Sequence, residues 1–122
     1  MPPFGVRARM QEDLRVAMKT RDRVRTSVLR ATLGAIANAE AVPSDARPNV
    51  AGRHEPTEVD RRELTEADVV AVVTRERAEL GADAALHRAR GDAGPLADLE
   101  ERIAVLDGYL HQARARHPAA GP

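Results

Sequence analysis

The segment from Met10 to Glu40, MQEDLRVAMKTRDRVRTSVLRATLGAIANAE, constrains this chain more than any other. It reads as two helices meeting at an Arg-Asp-Arg step. The first, from about Val6 to Thr20, is amphipathic. Val6, Met10, Leu14, Ala17 and Met18 recur at helical spacing, with Arg9, Glu12, Arg15 and Lys19 off that stripe. Asp22 is placed to cap the second helix, which runs from Arg23 to about Glu40. There Val28, Ala31, Ala35 and Ala39 form one stripe and Leu29, Leu33 and Ile36 an adjacent one. The polar remainder is Arg23, Arg25, Arg30 and Asn38. A helix apolar around most of its girth has to be enclosed by partners, so the pattern predicts a helical bundle with this helix inside it. Gly34 costs such a helix roughly 1 kcal/mol relative to alanine, and its presence predicts a close helix contact.

The rest of the chain completes the bundle. From Val42 to Glu63, Pro43, Pro48 and Pro56 with Gly52, Ser44 and Asn49 break any helix, so residues 41–64 are expected to form a long, flexible, proline-rich loop. Thr65-Glu66-Ala67-Asp68 then sets a hydroxyl three residues before an acid, a capping-box start. Val69, Val70, Val73, Leu80 and Ala84 supply an apolar face, Gly81 weakens this helix midway, and Gly91-Asp92-Ala93-Gly94-Pro95 ends it. The last helix is expected from about Pro95 to Arg114. Its Leu96, Leu99, Ile103, Leu106 and Leu110 step by 3, 4, 3 and 4, a seam that requires a facing helix. The expected fold is all-α: a four-helix bundle of two helical hairpins in a single domain over 1–114, with 115–122 a disordered tail.

Composition removes several function classes. The aromatics are only Phe4 and Tyr109, which suits helices packed on small side chains and not a β-sandwich or barrel. Formal net charge is zero, so the whole-protein field draws in neither nucleic acid nor anionic membrane. There is no cysteine, hence no disulfide framework, thiolate zinc site or cysteine nucleophile. Neither a signal-peptide core nor a run of membrane-span length is visible, and a soluble cytoplasmic protein with no membrane contact is expected.

Charge is concentrated where the first two helices meet. Residues 7–30 hold eight cationic side chains against Glu12, Asp13 and Asp22, an excess of five. Lys19, Arg21, Arg23, Arg25 and Arg30 are therefore the candidate nucleic-acid contacts, since arginine grips phosphate bidentately. With so few aromatics, the backbone of duplex or structured RNA is a more natural target than a stacked single strand. The competing reading is a solvated face with local ion pairs such as Glu12 with Arg15. No catalytic set is visible and no cofactor or metal is expected. His54, Glu55, Glu58 and Asp60 lie in a proline-rich loop that preorganises nothing, and His87, His111 and His117 stand alone as surface residues. Glu76 and Glu79 read as an exposed flank, and Ser27 lies inside a helix with no histidine at contact spacing. The leucine seam reads as intramolecular core, with a partner-binding or self-associating surface as the alternative.

Four groups of these residues carry a family resemblance: Ala17-Met18-Lys19, Arg21-Asp22-Arg23, Ser27-Val28-Leu29-Arg30 and Ala35-Ile36-Ala37-Asn38-Ala39-Glu40. With Leu64-Thr65, a Gly near position 91 and Ile103-Ala104-Val105-Leu106-Asp107-Gly108-Tyr109-Leu110, their order and spacing resemble the N-terminal helical half of the GatB/YqeY family over about Val6 to Leu110. Two departures stand out. Relatives follow the Tyr-Leu with Pro and a second small helical domain, where this chain has His111 and a short remainder. They also carry a basic, serine-containing segment where this chain has Leu80-Gly81-Ala82-Asp83-Ala84. The resemblance implies kinship with the tRNA-contacting tail of the B subunit of tRNA-dependent amidotransferases, whose chemistry sits in other domains. Stand-alone members bear the label of carbon-nitrogen ligases with glutamine as amide donor. The implied partners are tRNA or a protein of tRNA amidation or aminoacylation. The implied role is that of a non-catalytic accessory module, with a protein-interaction or self-associating module lacking any RNA role as the alternative.

Overall fold

The computed structural model describes residues 5–41 and 63–116, and over them the chain is an all-α four-helix bundle. Helix α1 (Val6–Lys19) turns through Thr20, Arg21 and Asp22 into α2 (Arg23–Ala41). Helix α3 (Glu66–Arg90) turns through Gly91 and Asp92 into α4 (Ala93–Arg116). The first four residues, nearly all of the expected loop and residues 117–122 lie outside the described residues. Ala115 and Arg116, expected in the tail, instead close α4. Buried Ala113 anchors that last turn, and Arg114 and Arg116 suit the negative end of a helix.

Three of the four helix starts have an identifiable partner. Asp22 caps α2, its Oδ1 accepting the Arg25 amide at 3.0 Å. At α3 the expected capping box is complete. Thr65 Oγ1 accepts the Asp68 amide at 3.0 Å, and Asp68 Oδ2 accepts the Thr65 amide at 2.9 Å. Helix α1 begins differently. Gly5 has no side chain to cap it, and Glu66 supplies the missing carboxylate, its Oε2 accepting the Val6 amide at 3.1 Å. A Cβ on Gly5 would stand 2.4 Å from Glu66 Oε1, so the bare backbone is what admits the carboxylate. An anion at a helix N-terminus is favourable, and here it also fastens the start of α3 to the start of α1.

Helix α2 touches all three other helices. Its Val28, Leu29 and Ile36 meet Val6 and Met10 of α1, Val69, Val72 and Val73 of α3, and Leu106, Tyr109 and Ala113 of α4 in one cluster. Thr32 is buried among them, and its hydroxyl donates to the Val28 carbonyl at 2.8 Å, so that the buried oxygen is paired. The α4 seam lies on α3 within the chain: Leu106 is fully buried, and Leu110 packs against the core. Arg77 grips Asp107 at 2.8 and 3.3 Å, and Arg88 reaches Glu100 at 2.9 Å. One number rises as its partner falls, which marks the hairpin as antiparallel. Arg7 with Glu40, bidentate at 3.0 Å, does the same for α1 and α2.

Three expectations fail. Helix α2 is not enclosed: Ala31, Gly34, Ala37, Asn38 and Ala41 face solvent. Alanine and glycine carry too little apolar surface to enforce burial, so a helix can look apolar all round and still keep an open side. Gly34 marks no close contact, since nothing lies within 4 Å of where its Cβ would be. Met18, counted in the apolar stripe of α1, is 49% exposed. Helix α3 runs through Gly81 over 25 residues and ends at Gly91, and no described helix is long and apolar enough to cross a membrane.

Two substitutions in α2 should act with opposite signs in urea denaturation. Leu29→Ala, at a site with no exposed surface, is expected to lose about 2–5 kcal/mol. Gly34→Ala is expected to gain about 0.5–1 kcal/mol, and a loss there would reveal a helix contact absent from this packing.

Candidate nucleic-acid interface

The turn between α1 and α2 is closed by two backbone hydrogen bonds, Arg21 N–H to the Met18 carbonyl at 3.3 Å and Asp22 N–H to the Ala17 carbonyl at 2.9 Å. Arg21 is left-handed there, with φ 59°. The turn after α3 repeats the pattern, Gly91 N–H to Arg88 at 3.2 Å and Asp92 N–H to His87 at 3.0 Å, with Gly91 at φ 75°. Glycine is the ordinary residue at such a helix end because it alone escapes the Cβ clash. The chain thus places glycine at one of two equivalent positions and arginine at the other, where the conformation costs about 1 kcal/mol.

Beside this turn lies an open cleft of about 760 Å³, lined by Arg21, Arg23, Thr26, Ser27 and Arg30, by Met18 of α1, and by Arg102 of α4. Four of the lining residues are arginines, and none is a carboxylate. Arg102 is held rigidly. Its Nε donates to Asp98 Oδ2 at 2.9 Å and its Nη1 to Ser27 Oγ at 2.8 Å. Arg30 Nη2 donates to the Met18 sulfur at 3.8 Å. Among the described residues Arg21, Arg23 and Arg30 meet no carboxylate within ion-pair distance. Four guanidinium groups, one of them already paired with Asp98, and two hydroxyls give the cleft the donors that a multiply charged oxyanion would need.

The five candidate cations are not brought together as a set. Arg21, Arg23 and Arg30 share the cleft. Arg25 points to the other side of α2, its Nε 3.7 Å from Asp22, into a polar groove with Arg9, Asp13, Tyr109 and Gln112. Lys19 is exposed on the last turn of α1 and does not line the cleft. Arg102 was absent from the sequence reading because it lies 75 residues from Ser27. Its one local sign is an i, i+4 pairing with Asp98, which marks many solvent-facing helices.

Several ionisable groups outside the cleft make contacts within the bundle. The Tyr109 hydroxyl donates to Asp13 and clamps α4 to α1, while Arg9 stands 5.8 Å over the ring. Burial first, then the bond to Asp13 and its charge, push the phenol well above its ordinary range, so it stays protonated. Arg7 is raised chiefly by its bond to Glu40. Glu76, read from sequence as exposed, is half-buried beside Thr32 and Leu80, and its carboxyl is raised, first by burial and then by Glu79. The sequence shows the carboxylates but not the α2 wall that shields one of them. His87, read as a solitary surface residue, is half-buried with Nδ1 3.0 Å from Asp92, which the Gly91 turn folds back onto it. Among the described residues no three histidines or carboxylates converge as metal ligands, and His54, Glu55, Glu58 and Asp60 lie outside those residues. A separate apolar groove of about 620 Å³ runs between the start of α3 and the end of α4, bordered by Val70, Leu110 and Ala113.

Arg21→Gly should relieve the left-handed strain. After allowing for the entropy glycine loses on folding, it is expected to stabilise the protein by no more than about 0.5 kcal/mol in urea melts. A destabilised variant would show that the Arg21 side chain supports the fold and not a ligand.

No family model, no curated protein and no solved structure matches this chain, so its chemistry is read from its own residues.

Proposed function

We propose that this chain is a non-catalytic helical accessory module that contacts structured RNA, resembling the tRNA-contacting appendage of the GatB/YqeY family. The observation that carries this reading is the cleft of four arginines with no carboxylate in its lining. Arginine matches the geometry of phosphate with paired N–H donors. The fixed Arg102 loses little further freedom on binding, which favours an ordered contact over a diffuse charge cloud. Zero net charge confines the attraction to this end of the bundle.

The non-catalytic part rests on bonding. Ser27, the one alcohol in the cleft with a defined side-chain partner, accepts a hydrogen bond from Arg102, and a guanidinium cannot take up its proton as a base would. The family label of a glutamine-dependent carbon-nitrogen ligase therefore finds no nucleophile in the cleft. The partner this favours is tRNA itself, or a protein of tRNA amidation carrying it. The competing reading, a protein-interaction module with no RNA role, is favoured by the apolar groove between α3 and α4.

Filter binding of bulk tRNA at two salt concentrations separates the two. About four phosphate contacts predict affinity falling roughly 100-fold between about 50 and 200 mM salt. The double substitution Arg23→Ala with Arg102→Ala should lower the salt slope by about 2. Absence of binding at low salt removes the RNA reading, and glutamine-dependent amide transfer by the isolated chain would overturn the non-catalytic one.

A further inference from the structure

The arginines account for one wall of the cleft and leave Met18 unexplained. Among the described residues only Val16, Met18 and Leu86 are large apolar side chains left open to water, and of these Met18 lines the cleft. Met18 is 49% exposed, although Val6, Met10 and Ala17 already give α1 its buried face. The Met18 side chain therefore adds little to the core and leaves apolar surface in water. It is also tied to the cleft, since Arg30 Nη2 donates to its sulfur at 3.8 Å. That bond lays a planar guanidinium alongside a polarisable thioether.

Resting on the RNA reading above, we propose that the cleft takes one unpaired nucleotide of the RNA, its phosphate on Arg21, Arg23 and Arg102 and its base against Met18 and Arg30. Guanidinium planes and methionine sulfur both pack on π-faces, so the wall can stack a base without any aromatic side chain. A base inside a duplex has both faces covered by its neighbours and cannot use such a wall. The cleft, at about 760 Å³, is far larger than a phosphate needs and falls in the range of sites that hold small organic ligands. Ser27 fits the same picture. Its oxygen accepts from Arg102, which leaves its own O–H to donate to a phosphate oxygen. Phosphate contact alone would leave the exposed thioether and its bond to Arg30 without a purpose.

The test uses two fluorescent RNA probes, a blunt hairpin and the same stem with a short unpaired 3′ overhang, followed by anisotropy at low salt. The full chain is expected to bind the overhang about tenfold more tightly, the worth of roughly one stacked base. Met18→Ala, at an exposed helical position, should abolish that preference, the overhang probe then binding no more tightly than the blunt hairpin. Arg102→Ala should weaken both probes together. Equal affinity of the unaltered chain for the two probes, with Arg102→Ala still weakening both, would overturn the unpaired-nucleotide proposal and leave the phosphate reading standing. A Met18→Ala chain that loses affinity for both probes equally would also overturn it. Binding of neither probe would remove both readings.

Discussion

Burial of one face of α2 is the constraint on which the other helices depend. Val28, Leu29, Thr32 and Ile36 are shielded on three sides at once, by α1, α3 and α4. No other helix has contacts spread so evenly over the bundle. Near-neutral charge and short, small side chains leave hydrophobic burial as the dominant favourable term, and α2 is where it converges. Polar links then fix the register of the helices around that hub. Glu66 fastens α3 to the start of α1, Tyr109 fastens α4 to Asp13, and Arg102 fastens α4 to Ser27. Each joins residues 60 or more positions apart in sequence, so each works against slippage of one hairpin along the other.

The same helix that organises the core presents the candidate site. Its buried face begins one residue after Ser27, and the turn preceding it carries Arg21 and Arg23. Arginines on a frayed segment would contact phosphate at a high entropic cost. Here the turn is closed by backbone hydrogen bonds, capped by Asp22, and backed by a guanidinium already held at two of its nitrogens. The left-handed Arg21 is the informative detail, because Gly91 shows that this chain uses glycine at the equivalent turn. Strain tolerated at one turn and avoided at its counterpart points to a side chain kept for its chemistry.

Much of this fold is legible in the sequence. Asp22, the Thr65–Asp68 capping box and Gly91 mark three helix boundaries by local chemistry alone, and the 3-4 spacing from Leu96 to Leu110 announces a helix needing a partner. Small residues are where the sequence misleads. Ala31, Gly34 and Ala37 could stand inside or outside a bundle with little change in free energy, so their pattern suggested enclosure that the structure does not provide. The candidate site was half legible. The run of cations locates the turn, yet helical geometry sends Arg25 to the opposite side, and only tertiary packing brings Arg102 in. Met18 was hidden for a related reason. It fits the helical period of α1's apolar stripe, and nothing local distinguishes a methionine that fills a core from one that borders a cleft.

The claim that the α1–α2 turn receives RNA is tested most directly by mapping backbone amide shifts in solution as tRNA is added at low salt. Changes concentrated at 19–30 and around Arg102, fading as salt is raised, are the expected result. Changes confined to the apolar groove between Glu66 and Thr74 of α3 and Leu110 to Arg114 of α4, or none at any salt, would contradict it.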